Sequence, residues 1–126
     1  MKEQEFYICK HCGNIVAKVL DRGPKISCCG EEMILLKANT VDAAKEKHVP
    51  VVTVEGNKIS VNVGAVDHPM TSEHHISWVY LQTENGGQRK NLKVDGKPHA
   101  TFAVDDDKAL AVYEYCNLHG LWKLEL

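Results

Sequence analysis

The chain has 126 residues, 44% of them hydrophobic and 25% charged, with a formal net charge of −2. This is the composition of a soluble globular protein, either one ordinary domain or a small domain joined to a tiny metal-stapled one. No Lys/Arg stripe offers a footprint for nucleic acid, and the apolar runs are far shorter than the ~20 residues of a spanning helix, so neither a nucleic-acid nor a membrane partner is expected.

The opening run Met1-Lys2-Glu3-Gln4-Glu5 is charged and leads into no apolar signal core, which makes the cytoplasm the expected compartment. Cysteines then dominate the first 29 residues: Cys9-x2-Cys12-Gly13, and after fourteen more residues Cys28-Cys29-Gly30. In a reducing compartment such a cluster points to metal ligands rather than disulfides. A Cys-x2-Cys turn aims two thiolates at one metal. Adjacent strand residues face opposite ways, so Cys28 and Cys29 can share that metal only on a bend, which Gly30 permits. The short apolar runs Phe6–Ile8, Ile15–Leu20 and Met33–Leu36 read as strands of a miniature β unit too small to stand without a metal staple. A disulfide between neighbours would be strained, and glycine after Cys12 argues against covalent haem. Four thiolates suit zinc or iron equally, and His11 reads as a solvent-facing spacer.

Residues 37–47 read as a linker that becomes a short helix over Val41–Lys47, capped by Asn39 or Thr40 and ended by Pro50. Beyond it the pattern has period two. Val51–Glu55 and Lys58–Val63 read as a hairpin across Gly56-Asn57, with Ile59, Val61 and Val63 on one face. His75–Thr83 and Gln88–Val94 form a second pair across Glu84-Asn85-Gly86-Gly87. His99–Val104 and Ala109–Tyr115 form a third across Asp105-Asp106-Asp107, and Leu121–Leu126 a last strand. The expected fold is all-β: a small metal-stapled β module (residues 1–37) followed by an immunoglobulin-like β-sandwich (residues 38–126).

A second constellation lies on that sandwich. Cys116 and His119 are three residues apart beside Gly120, so one turn can aim both at one metal. Of the 7 histidines, His48 sits at a helix-to-strand junction and His68 in a loop before Pro69. His74 and His75 straddle a strand start, where only one of the two can join a shared site. His99 reads as solvated. Four histidines and one cysteine would make one site on the rim of a sandwich.

Four ordered segments resemble the desulfoferrodoxin family, the two-iron superoxide reductases. They are Asn39–Pro50, Gly64–Met70, Glu73–Trp78 and Glu114–Lys123, and the Cys9–Cys29 region is similar to the desulforedoxin-type, rubredoxin-like module of that family. The resemblance covers essentially the whole chain, the remainder being similar to neelaredoxin. It implies an iron held by Cys9, Cys12, Cys28 and Cys29, and a second iron held by His48, His68, His74, Cys116 and His119 with an open sixth position. His74 is thereby preferred over His75, where relatives often carry an aromatic residue.

The resemblance further implies one-electron reduction of superoxide to hydrogen peroxide, for detoxification in an anaerobe or microaerophile. It also implies a homodimer and a rubredoxin-like electron donor, since no flavin or nicotinamide fingerprint is present. Lys47 is the natural cation to steer the anionic substrate, and Glu46 resembles the carboxylate that closes on the open position. Without the motif, both would read as a solvated charge pair. Glu114 has two readings, a group that tunes the thiolate or a solvent-facing carboxylate. The competing functions are a copper-type electron carrier, a zinc-and-sandwich binding protein, and a superoxide dismutase. No methionine follows Cys116 and His119 to complete a copper site.

Overall fold

The structure, a computed structural model, describes residues 3–126; Met1 and Lys2 of the charged opening run lie outside the described residues. The chain divides into two compact units, Met1–Lys37 and Ala38–Leu126. No helix among the described residues is long and apolar enough to cross a membrane.

The first unit contains β1 (Phe6–Ile8), β2 (Ile15–Ala17), β3 (Ser27–Cys28), β4 (Glu31–Glu32) and β5 (Ile34–Leu35). They form a three-stranded sheet in the order β2-β1-β5 and a separate β3-β4 ribbon. Phe6, Cys9 and Met33 are its buried hydrophobic residues among those described. So little apolar burial cannot offset chain entropy, which is why cross-linking by a metal matters here. The expected strand over Ile15–Leu20 stops at Ala17, and Val19 and Leu20 are exposed. The cause is the turn that follows: Asp21 accepts a hydrogen bond from the Gly23 N–H at 2.9 Å and pairs with Lys18 at 3.2 Å.

The second unit opens with α1 (Lys45–His48), then β6 (Pro50–Glu55), β7 (Lys58–Val63), β8 (Ile76–Thr83), β9 (Gly86–Asn91), β10 (His99–Ala103), β11 (Ala109–Cys116) and β12 (Gly120–Glu125). Two antiparallel sheets, β10-β7-β6 and β12-β11-β8-β9, share one core. Ile59, Val61, Val63, Ala100 and Phe102 from one sheet meet Ile76, Val79, Leu81, Val112 and Cys116 from the other. This is the immunoglobulin-like sandwich, and one of the expected metal ligands, Cys116, is a member of the core itself.

Three local expectations differ from the structure. The helix is a single turn, and Ala44 precedes it with no side-chain cap. Asn39 does not cap it because its amide bridges an edge strand: Nδ2 donates to the Lys123 carbonyl at 3.1 Å and Oδ1 accepts from the Lys123 N–H at 2.9 Å. The β8–β9 hairpin pairs Thr83 with Gly86, so its loop is the two residues Glu84 and Asn85, and Gly86 and Gly87 belong to the strand. Finally, β10 does not pair with β11. It pairs with β7, while β11 pairs with β8 and β12. Residues 111–114 of β11 are buried without alternation, the pattern of a central strand, so β11 takes two neighbours in its own sheet.

Candidate metal centres

Two groups of residues converge closely enough to hold metal ions: Cys9, Cys12, Cys28 and Cys29 in the first unit, and His48, His68, His74, Cys116 and His119 in the second. Within each group the potential ligand atoms all lie within 4.8 Å of one another. All five cysteines are free of disulfides.

In the first unit, Cys9 and Cys12 lie on the β1–β2 connection, whose backbone is tightened by Gly13 N–H donating to the Cys9 carbonyl at 2.8 Å. Cys28 pairs with Glu31, so Cys29 and Gly30 form a two-residue hairpin loop with φ of +53° and +76°. Two left-handed residues in succession are the signature of a tight I′ turn. That turn breaks the alternation that would otherwise separate neighbouring cysteines. Sγ of Cys12 is 3.6 Å from that of Cys28, which is 4.0 Å from that of Cys29. Tetrahedral coordination with ~2.3 Å metal–sulfur bonds needs sulfurs about 3.8 Å apart. The backbone N–H of Cys12 leads in holding the Cys9 thiol down at about 6. Shared hydrogens with Cys12, Cys9 and Cys28 push the Cys29 thiol up to about 12. The cluster therefore gives up its first proton readily and its last with difficulty, until a cation offsets the accumulated charge. His11 stays outside the group and pairs with Glu31 at 3.0 Å.

The second centre is assembled from three segments. His48 ends α1, His68 and His74 lie on the β7–β8 connection, and Cys116 and His119 flank the β11–β12 turn. The four imidazoles form a ring. Centroids of successive members are 4.6 Å (His48–His68), 4.5 Å (His68–His74), 5.1 Å (His74–His119) and 4.9 Å (His119–His48) apart, and each pair is near perpendicular. His48 and His74 face each other across it at 6.5 Å.

Hydrogen bonds fix which nitrogens point inward. His48 Nδ1 lies 2.7 Å from the Ala44 carbonyl, and His68 Nδ1 lies 2.7 Å from the Pro69 carbonyl. A carbonyl only accepts, so each Nδ1 carries the proton and each Nε2 presents a lone pair. Burial pushes the His48 and His74 imidazoles below their ordinary value and His68 down to about 4, which keeps all three neutral at pH 7. The two Nε2 lone pairs then face one another at 3.2 Å, and His48 Nε2 is 3.1 Å from His119 Nδ1. His74 Nε2 is buried with no hydrogen-bond partner. Converging lone pairs and an orphaned buried nitrogen are unfavourable by themselves. A cation among them removes both problems, so the donor set fits a metal.

Cys116 is fully buried, and its Sγ lies 3.8 Å from His119 Nδ1. Burial pushes its thiol up, while the N–H groups of Leu118 and His119 act against that shift. A sulfur that receives backbone N–H groups is prepared to carry negative charge toward a metal.

The remaining expected residues divide. His75 turns away from the ring, its Nδ1 2.9 Å from the Thr71 carbonyl, and His99 lies on an exposed strand end. Lys47 is half-buried, and its charge contributes to depressing both His48 and His74, which places it beside the centre. Glu46 is exposed, and its carbonyl accepts the Val66 N–H at 2.9 Å. Glu114 is not solvent-facing: it is fully buried, both carboxylate oxygens lack partners, and burial pushes its carboxyl well above the usual range. Register places it between Val79 and Trp122 on the same face of β11 as Cys116.

Sequence reasoning passed over three supporting residues. Trp122 stacks on His48 at 4.8 Å and donates through Nε1 to the His119 carbonyl at 3.2 Å. A Cβ on Gly64 would meet the Glu46 and Val49 carbonyl oxygens at 2.7 and 2.8 Å, so glycine allows the loop before His68 to press against α1. Asn117 bonds to Glu73 and His75. Their signal was position: each lies within four residues of a ligand in sequence.

A family model described as desulfoferrodoxin matches residues 40–125, and one described as desulfoferrodoxin, N-terminal domain, matches residues 1–36. The chain is 47% identical over 123 residues to the desulfoferrodoxin of Nitratidesulfovibrio vulgaris, covering 98% of this chain and 97% of that one. It is similar to the crystal structure of the superoxide reductase from Treponema pallidum, with a TM-score of 0.83 and 45% identity over 98% of this chain and 100% of the other. A one-iron superoxide reductase from Giardia intestinalis matches 65% of the chain, and all of its own, with a TM-score of 0.54 and 34% identity.

Proposed function

The chain belongs to the desulfoferrodoxin family, and we propose that it is a superoxide reductase whose reaction takes place at the His4Cys centre of the sandwich. The observation that carries this reading is the ring of four imidazoles closed around one point, with the buried Cys116 sulfur beside it. The chain would hold two irons, one at each centre. His48, His68, His74, Cys116 and His119 would hold the reactive one, and Cys9, Cys12, Cys28 and Cys29 the other.

Iron held by these five residues would supply one-electron redox chemistry. One electron and two protons convert superoxide to hydrogen peroxide. The protein's own groups set the conditions. Carbonyls of Ala44 and Pro69 fix the His48 and His68 tautomers, so that neutral nitrogen faces inward. Leu118 and His119 N–H groups stabilise negative charge on the Cys116 sulfur. An electron-rich thiolate ligand pushes density onto its metal, as it does in thiolate-ligated haem. Lys47 would attract the anionic substrate, and Glu46, on the same turn, is the carboxylate that would guard the site when no substrate is there.

The first centre is a staple for a unit with little core of its own, and it need not enter turnover. The electron comes from a separate small redox protein of rubredoxin type, and the protein works as a homodimer in the cytoplasm.

The test is metal analysis combined with superoxide consumption, with and without a reduced rubredoxin. Two irons per chain and peroxide formation that depends on the donor are expected. Oxygen release without a donor would show a dismutase, and one zinc per colourless chain would show a binding protein.

A further inference from the structure

The loop Thr71–His75 presents His74 to the ring, where its buried Nε2 has no hydrogen-bond partner and is left to face a metal. His48 and His68 are oriented by carbonyls of their own segments. The His74 backbone is closed on its own loop, since its N–H donates to Thr71 Oγ1 at 3.1 Å and its carbonyl accepts the Thr71 N–H at 2.9 Å. These bonds stay within the loop and do not tie it to the other ligand-bearing segments. The residues on either side of His74 are held by one side chain from a distant segment. Asn117 Oδ1 accepts the His75 N–H at 2.8 Å, and Asn117 Nδ2 donates to the Glu73 carbonyl at 2.9 Å. Its own N–H donates to the His75 carbonyl at 3.2 Å.

We propose that Asn117 is a positioning residue that locks the His74 loop to the Cys116–His119 turn and so fixes the angle at which the His74 imidazole meets the bound metal. This rests on the five-residue centre described above. Asn117 lies between Cys116 and His119 in sequence, so the clamp joins three of the five ligands through one amide. An amide suits the task, because it accepts at one end and donates at the other, as the N–H of His75 and the carbonyl of Glu73 require. Asn117 is exposed, so it contributes little to the apolar core, and removing it changes the clamp more than the fold.

The test compares the iron-loaded wild type with Asn117→Ala and Asn117→Asp. Iron release from the oxidised protein to a ferric chelator is followed through the thiolate-to-iron absorption of the His4Cys centre, with the tetrathiolate centre as a reference within the same molecule. Amide hydrogen exchange at His75 is measured alongside. The expected result for Asn117→Ala is iron held about ten- to hundredfold more weakly at the His4Cys centre, as for other groups that orient ligands. Its absorption shifts, His75 exchanges faster, and the tetrathiolate bands stay unchanged. Asn117→Asp keeps the acceptor for His75 and loses the donor to Glu73, so it falls between the two. Unchanged iron retention and absorption in Asn117→Ala would overturn the proposal. So would parallel weakening of both centres with a lowered melting temperature, which is a general structural effect. A wild type that holds no iron at the five residues would overturn the functional reading as well, and is told apart by metal analysis of that protein alone.

Discussion

The indole of Trp122 lies flat against the imidazole of His48, ring centres 4.8 Å apart and planes 29° apart. Its Nε1 reaches the carbonyl of His119, so one buried side chain touches two ligand residues that are 71 positions apart in sequence. Trp122→Phe keeps an aromatic face and loses the N–H. It should fold, hold iron at the His4Cys centre about tenfold more weakly, and shift the thiolate-to-iron absorption. Trp122→Ala should add a loss of about 3–5 kcal/mol from the emptied core. Iron retention equal to wild type in the Phe variant would count against a role for the indole N–H.

Gly64 lets two ligand-bearing segments approach. A Cβ there would come within 2.7 Å of the Glu46 carbonyl and 2.8 Å of the Val49 carbonyl, both backbone atoms that cannot swing aside. Gly64→Ala should therefore lower stability by about 1–3 kcal/mol, as overpacking does. It should also move the Glu46–Lys47–His48 turn and slow the reaction with superoxide. Thermal unfolding and the rate with superoxide check the two effects separately.

Much of the architecture was legible because local chemistry and tertiary need agree. Alternation over Lys58–Val63 matches its buried face, and Cys29-Gly30 is both a turn signal and a ligand bend. The pairing of β10 was not legible, because an acidic turn marks a reversal of the chain without saying which sheet it returns to. Only the two-sided burial of β11 decides that. Asn39 looked like a helix cap because its amide can satisfy any free N–H, and the competing partner, Lys123, lies 84 residues away. The ligand set itself came from motif spacing and the family resemblance. The ring around it, and the burial of Glu114 behind it, are properties of packing that no spacing records.

Asp107 ties the turn before β11 to the β8–β9 turn. Its carboxyl is held below the usual carboxylate value first by the Thr83 hydroxyl, with the N–H groups of Lys108, Asn85 and Glu84 assisting. A depressed folded value means the carboxylate stabilises the fold above its unfolded value and loses that contribution as pH falls through the folded one. Asp107→Asn should therefore melt below wild type at pH 7, and the gap should close as pH drops beneath 3.8. Melting curves of both proteins from pH 7 to 3 test this, and a gap that stays constant would contradict it.

The four clustered cysteines belong to the first unit and the five residues of the proposed reactive centre to the second. Cys12→Ser should remove or alter the tetrathiolate absorption and leave superoxide reduction at the other centre intact. Loss of turnover in a variant that still folds and still holds iron at the His4Cys centre would show that the first centre takes part in catalysis.

Lys47 is the last residue before His48, half-buried, with its charge acting on both His48 and His74. Superoxide is a small anion, and a cation at the mouth of a site concentrates such a substrate and raises its rate of arrival. Lys47→Ala should slow the second-order reaction with superoxide about tenfold or more at low salt. The Debye length falls to about 10 Å at 0.1 M and about 3 Å at 1 M, so the deficit should shrink as salt rises. Lys47→Arg retains the charge and should stay near wild type. A deficit that persists at high salt would mean that Lys47 acts by contact with the bound substrate. Equal rates for the Ala variant and wild type at low salt would remove Lys47 from the reaction altogether.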